Sequence, residues 1–346
     1  MDLLGIKPNQ VSTNVNAYKI LVYGDNKTGK TTLASQIPNC LLLGFEKGFD
    51  AIAGILAQPI NKWSEFREVY KAFKNDEEVR NKFKCIAIDT IDYATVMCEK
   101  YICSQLNIDD LSKAPFGKAY KAVQDEFMSV INGFIDLGVG VLVISHAENV
   151  LVGEIPSKDG TDTIKVYRKE PTIGNKKIKK FILDAMDITG YITSELKEDG
   201  TYDAKLHLRE TKDYMAGNHF RYLDSEISFN YDALQNAIIA AVKKEAESKG
   251  QETTTEIKRE VKVQKDFNEL IVEFNDLVKS IPGASGADAS TEAGKNFKTN
   301  IAPQITDIVE RHLGKGAKIN TATRNQIEAV EATVIDLREL VENLQR

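Results

Sequence analysis

The chain is short of the residues on which several kinds of chemistry depend. Its four cysteines, Cys40, Cys85, Cys98 and Cys103, form no CxxC pair, and two of them fall in apolar runs that read as buried strands. Reduced, structural thiols of a cytoplasmic protein are therefore expected, not a disulfide frame. Only four histidines occur, His146, His207, His219 and His312, without paired spacing, which argues against a zinc site. No segment approaches the roughly eighteen uninterrupted apolar residues of a membrane span. The opening MDLLGIKPNQVSTN lacks the basic start and apolar stretch of an export signal, so the cytoplasm is the expected location. Basic charge is not in excess either: 45 Lys and Arg stand against 51 Asp and Glu, for a net charge of -6. Any contact with a polyanion has to be local. No internal repeat is found.

At 346 residues and 42% hydrophobic, the chain can build one large core and a smaller appendage. Short apolar runs rich in β-branched residues, YKILVYG, CLLLGF, KCIAID and GVLVISH, alternate with segments such as SEFREVYKAF and YKAVQDEFMSVINGFIDL, whose apolar residues recur at three and four. That pattern predicts a mostly parallel sheet buried on both faces. From about residue 160 to 230, DTIKVY, DITGYITSEL and YDAKLHLR read as antiparallel strands extending the sheet, with EDGT as a turn.

NYDALQNAIIAAVKKEAE reads as a helix beginning at an Asn or Asp cap, and the polar stretch after it as a linker. The expected organisation is a core over 1–248, a linker over 249–260 and a helical region over 261–346. In that region Phe267, Leu270, Ile271, Phe274, Leu277, Val278 and Ile281 share one stripe. Ile327, Val330, Val334, Leu337, Val341 and Leu344 follow three-four spacing, open to packing inside a small helical domain or to a self-association seam.

The most specific pattern is Gly24-Asp25-Asn26-Lys27-Thr28-Gly29-Lys30-Thr31, which fits GxxxxGK[ST] between a predicted strand and helix. Glycines let consecutive N–H groups face phosphates, Lys30 reaches the β and γ oxygens, and Thr31 offers a hydroxyl to Mg²⁺, with Thr32 completing the contact set. The start of the following helix presents its positive end to the anion. An acid is then needed on the metal, and Asp89, closing the apolar strand CIAID, is placed for it.

The class of phosphate-loop protein is narrowed by what is missing. Thr90 follows Asp89 where AAA+ proteins and DEAD-type helicases carry an adjacent Glu base. No guanine-reading NKxD and no LSGGQ-like signature occurs. Glu46, in CLLLGFEKGF, is left as the candidate base. The residues alone allow either that role or a surface carboxylate paired with Lys47.

On these residues the chain resembles the RecA family, whose second strand also ends in a short acidic stretch with the catalytic Glu. The resemblance implies an α/β fold: a RecA-like P-loop NTPase core with a mostly parallel central sheet extended by antiparallel strands. The helical C-terminal region lies beyond its reach. It makes Glu46 the base, catalytic beside Lys30. In GVLVISHAE it makes His146 the γ-phosphate sensor where RecA has Gln; a buried, hydrogen-bonded histidine is the alternative reading. HAE and TKDYMAGNHF resemble in particular the phage-encoded Sak-type annealing group.

After the sensor strand, KDGTDTIKVYRKEPTIGNKKIKK carries Lys158, Lys165, Arg168, Lys169, Lys176, Lys177, Lys179 and Lys180, and Tyr167 beside them could stack on a base. Such a run is either a solvated face or a single-stranded-DNA contact. Arg209 and Lys212 sit where the family reaches a neighbouring subunit's nucleotide, although this chain has Arg-x-x-Lys in place of Lys-x-Arg. The resemblance thus implies an ATP- and Mg²⁺-dependent hydrolase acting on single-stranded DNA as a homo-oligomer, ring or filament, in phage recombination. Two rival readings stand beside it: a nucleotide-gated scaffold recruiting a single-strand-binding or other replication protein, and a helicase motor.

Overall fold

The computed structural model describes residues 8–156, 163–174, 176–200, 202–257, 266–285 and 290–345. Lys158 of the basic run lies outside them. The described strands are β1 (Lys19–Gly24), β2 (Cys40–Gly44), β3 (Ala57–Pro59), β4 (Cys85–Asp89), β5 (Gly140–Pro156), β6 (Thr163–Pro171), β7 (Ile188–Leu196), β8 (Tyr202–His207), β9 (Gly217–Asn218) and β10 (Glu226–Ser228). The helices are α1 (Lys30–Gln36), α2 (Trp63–Asn75), α3 (Glu77–Lys82), α4 (Ile91–Leu106), α5 (Lys118–Asp136), α6 (Lys176–Ala185), α7 (Tyr231–Ser248), α8 (Phe267–Ser280), α9 (Glu292–Asn296), α10 (Ala302–Leu313) and α11 (Ile327–Gln345). The chain divides into two compact units, residues 1–261 and 262–346.

In the first unit one sheet runs β10-β8-β7-β1-β5-β4-β2-β3. The pairs from β3 to β7 are parallel, and β8, β9 and β10 join antiparallel. This is the RecA-like phosphate-loop core. Two details differ from the sequence expectation. β7 is parallel to β1, because α6 intervenes and lets the chain re-enter the sheet in the original direction. β6 does not extend the sheet edge: it folds back on the overhanging half of β5 as an antiparallel hairpin, with a bulge between Leu151 and Gly153.

The continuous apolar strands arise because both faces are covered. Leu21 and Tyr23 of β1 face a core with Trp63, Phe66 and Phe73 of α2 and Phe127 and Phe134 of α5. Ile20 and Val22 face the opposite side, with Leu33 of α1 and Leu234, Ile238 and Val242 of α7. Alternate side chains of one strand thus serve two cores. Cys40 and Cys85, in register on β2 and β4, are buried in the second of these as free thiols. The Asn230 side chain caps α7 on the Ala233 N–H at 2.8 Å.

Part of the stretch expected as linker is anchored. Thr254 accepts from Thr13 N–H at 2.8 Å and donates to the Val11 carbonyl at 3.0 Å, tying the chain after α7 to its beginning.

The second unit has its own core. Leu270 and Phe274 of α8, Ile305 and Val309 of α10, and Val330, Val334, Leu337 and Val341 of α11 are buried together. Most of the three-four stripe of α11 is therefore packed inside its own unit, with Ile327 partly buried, while Leu344 at its end stays exposed. Among the described residues no helix is long and apolar enough to cross a membrane.

Candidate functional site

The registers bring the strand ends to one edge. Gly24 of β1 is level with His146 of β5, and Gly44 of β2 with Asp89 of β4. Parallel sheets bind ligands at the carboxyl ends of their strands, and every predicted catalytic residue comes to this edge.

The loop leaving β1 turns through Lys27 (φ 63°) and Gly29 (φ 87°) into α1. Gly29 takes the left-handed conformation that a Cβ disfavours. At Gly24 a Cβ would stand 3.0 Å from Ile192 Cβ and 3.2 Å from Thr28 Oγ1, so the close packing of the loop on β7 also needs glycine. Asp25, Asn26 and Lys27 are exposed, as is Thr32, while Lys30 is buried. The Thr28 hydroxyl donates to the Asp25 carbonyl at 2.9 Å. The Lys30 ammonium donates to the carbonyls of Gly24 at 3.0 Å and Asp25 at 2.7 Å, spanning the loop it belongs to. Burial lowers the Lys30 pKa, and Asp89, Asp92, Asp25 and Glu46 oppose that shift.

Thr31 Oγ1 donates to Asp89 Oδ2 at 2.7 Å, which brings the hydroxyl of α1 and the carboxylate of β4 together. Burial raises the Asp89 pKa, and the Thr31 hydrogen bond acts against it. Two hard oxygen donors beside a buried ammonium suit a small divalent cation such as Mg²⁺ that arrives with phosphate. The residues present fit that ion.

Glu46 follows β2, and its N–H lies 3.3 Å from the Asp89 carbonyl. The side chain beside Glu46 is that of His146, whose Nε2 is 3.6 Å from Glu46 Oε2, and not that of Lys47. The other ring nitrogen, Nδ1, is 2.8 Å from Asp92 Oδ2. Asp92 also accepts from the His146 N–H at 2.9 Å and from the Ser145 hydroxyl at 2.6 Å. Burial pushes the Asp92 pKa up against these donors. Sequence reasoning missed Asp92 and placed Ser145 only at the end of the strand GVLVISH, without its partner. The signal for Asp92 was a second carboxylate three residues after Asp89, in IDTIDY, at the start of the next helix.

The basic run is less free than the sequence suggests. Arg168 on β6 pairs with Glu170 at 2.6 Å, and Lys179 on α6 with Glu170 at 2.9 Å and Glu148 at 3.2 Å. Burial favours a higher Glu170 pKa, but Arg168 and Lys179 outweigh it and hold the carboxyl below the usual range. Lys180 pairs with Asp184 at 2.5 Å. Lys169 reaches into the phosphate loop, 2.9 Å from Asp25 Oδ1. Four of the eight basic residues of the run are thus paired with carboxylates of the same chain. Half-exposed Tyr167 stays on the hairpin, near similarly exposed Leu151, Ile155 and Ile164. Lys176 and Lys177 line an open cleft of about 700 Å³ with Phe116, Tyr120 and Lys121. Phe116 is 99% exposed.

Arg209 donates to the Phe220 carbonyl of its own chain at 2.8 Å. Lys212 is 85% exposed and lies 3.0 Å from Asp213. Of the two trans candidates, Lys212 is the one that points into solvent.

The chain is 28% identical to the SPbeta prophage-derived uncharacterized protein YorG of Bacillus subtilis (strain 168) over 349 residues, covering 99% of each. Among solved structures, it resembles the flagellar accessory protein FlaH from Methanocaldococcus jannaschii at 10% identity and a TM-score of 0.32, over 62% of this chain and 85% of that one. A family model described as an AAA domain matches residues 16–220, more than half the chain and the whole of the strand-edge site. The chain therefore belongs to the AAA domain family of phosphate-loop ATPases.

Proposed function

We propose that the protein hydrolyses ATP at this strand edge and couples hydrolysis to work on single-stranded DNA, as an oligomer of the phage Sak-type annealing kind. The observation that carries the reading is the path Glu46–His146–β5. The carboxylate suited to act as base touches the residue from which β5 runs out of the sheet into the β5–β6 hairpin. The loop N–H groups and Lys30 bind the phosphates. Thr31 and Asp89 would hold Mg²⁺, which neutralises charge on the β and γ oxygens when bound. Glu46 orients and deprotonates water, and His146 links that step to the hairpin.

DNA binding draws its support from the cleft lined together by Lys121, Lys176 and Lys177, by Phe116 and Tyr120, and by one acid, Asp125. Lysines for the backbone and exposed aromatic faces for bases are the two parts of a sequence-tolerant single-strand site. The test is steady-state ATP hydrolysis with and without an oligonucleotide, at low and moderate salt. Lys30→Ala is expected to abolish turnover. Glu46→Gln should keep nucleotide binding and lose about 10²–10⁴-fold in rate. Stimulation by DNA should fall with salt and vanish on reversing Lys176 and Lys177.

A second reading, a nucleotide-gated assembly scaffold that recruits a replication protein, is favoured by the internal pairing of Arg168, Lys169, Lys179 and Lys180. It predicts a hydrolysis rate indifferent to DNA. Lys212 in the site of a neighbouring copy would make specific activity rise with protein concentration, and Lys212→Ala would remove that rise.

A further inference from the structure

Asp92 belongs to none of the phosphate-loop patterns, yet it is among the most heavily used acceptors at the strand edge. It is the second residue of α4, and its side chain is 12% exposed. Oδ1 accepts the Ser145 hydroxyl at 2.6 Å, and Oδ2 accepts both the His146 N–H at 2.9 Å and the His146 ring at 2.8 Å. A carboxylate surrounded by donors acts as an acceptor only, so the imidazole proton that meets it sits on Nδ1. Which nitrogen of a histidine is protonated is set by the partner of the other, and the ring plane is fixed with it. The ring so fixed places Nε2 across the strand edge from Glu46 Oε2, 3.6 Å away, where the neutral ring presents a lone pair and a doubly protonated ring a donor. The backbone bond from His146 N–H to the same oxygen ties ring and strand to one anchor.

We infer that Asp92 is a positioning residue for ATP hydrolysis: it fixes the tautomer and plane of His146, and through His146 the direction in which the Glu46 carboxylate faces the attacking water. Asp92 acts through His146, the residue its carboxylate holds. The inference rests on Glu46 being the base. It gives the sensor a mechanical basis, since a shift of β5 alters His146 only against the fixed point that Asp92 provides. A base displaced by an ångström costs about a hundredfold in rate.

The test begins with nitrogen NMR of the four histidine rings in the nucleotide-free full chain, with His146 assigned by its loss in His146→Gln. The wild-type ring should carry its proton on Nδ1, and Asp92→Ala should lose that signature. In hydrolysis assays Asp92→Ala should lower kcat about a hundredfold with ATP affinity changed less than about twofold. Asp92→Asn, whose amide oxygen can still accept from both His146 donors, should recover at least about tenfold of this loss.

Combining Asp92→Ala with His146→Gln should cost no more than His146→Gln alone, because one residue acts through the other. An unchanged His146 signature in Asp92→Ala, or a fully additive double variant, overturns the inference. Should Asp92→Ala not fold, Asp92→Ser takes its place in each arm. If Glu46→Gln turns over at the wild-type rate, it is the base assignment that falls, while the nitrogen spectrum still decides whether Asp92 sets His146.

Discussion

At the scale of single residues, the site holds charges that the fold would be more stable without. Asp89 is buried with its pKa raised, so its ionised form costs folding energy. Between the unfolded value near 3.8 and the higher folded value, the native state binds more protons. Stability contributed by Asp89 is therefore greatest below that window and falls as pH rises through it. In nucleotide-free protein with metal chelated, Asp89→Asn should accordingly raise the melting temperature at neutral pH while removing turnover. A lower melting temperature would show that the Thr31 bond and Lys30 repay the burial. Gly29 illustrates the opposite constraint. Its φ of 87° makes Gly29→Ala cost about 1–2 kcal/mol, and a loop that shifts to relieve the strain misaligns its N–H groups. Nucleotide affinity should drop about tenfold for each 1.4 kcal/mol, read by titration with a fluorescent ATP analogue.

At the scale of elements, the hairpin is tied to α6 by partly buried ion pairs of Lys179 that the sequence presents as free charge. Glu170 on β6 receives Arg168 from its own strand and Lys179 from α6. Its carboxyl is held below the ordinary glutamate value, so the stability it contributes is fully present above about pH 4.5 and is lost as pH falls through the lower folded value. Acidification below pH 4.5 should therefore release β6 from α6 ahead of the sheet. Amide hydrogen exchange should show this loss of protection in the wild type. In Glu170→Gln the acid-dependent step should be absent and protection lower at neutral pH, by about 1.5–3 kcal/mol for the charged hydrogen bonds. Tyr23 adds a second attachment, since its hydroxyl is within 2.9 Å of the Lys169 carbonyl and 2.5 Å of the Met215 carbonyl. The phosphate-loop strand and the hairpin base therefore share one buried contact.

At the scale of the whole molecule, the two units differ in how much each depends on a single side chain. The second unit gathers its stability from one small core in which Leu337 and Val330 are fully buried. Leu337→Ala should cost it about 2–5 kcal/mol, a large share of the total stability of a small domain. Exchange rates of α8, α10 and α11 amides in the full chain measure this. The relative from Bacillus subtilis matches the chain over 99% of both lengths, so the likeness takes in the helical unit, which the family model leaves out. The net charge of -6 leaves any polyanion contact to local features such as the cleft lined by Lys121, Lys176 and Lys177.

Much of this was determined by sequence alone, because it depends on local pattern. Alternating apolar strands and amphipathic helices require a parallel sheet buried on both faces, and GDNKTGKT can cradle phosphate through its own glycines and lysine. That Asp89 and Glu46 come to the strand ends was legible, because Asp89 closes one apolar strand and Glu46 stands two residues beyond another. What tertiary structure decided was pairing across distance. Whether Glu46 meets Lys47 or His146, whether Lys169 faces solvent or Asp25, and whether Asp92 is surface or anchor depend on which strand ends lie side by side, and spacing along the chain carries no record of that. The direction of β7 and the folding back of β6 depend on a crossover helix and an overhanging strand. The charge run is subject to the same limit: a lysine's partner is set by register and burial, and four of the run's eight basic residues, Arg168, Lys169, Lys179 and Lys180, pair with carboxylates of their own chain.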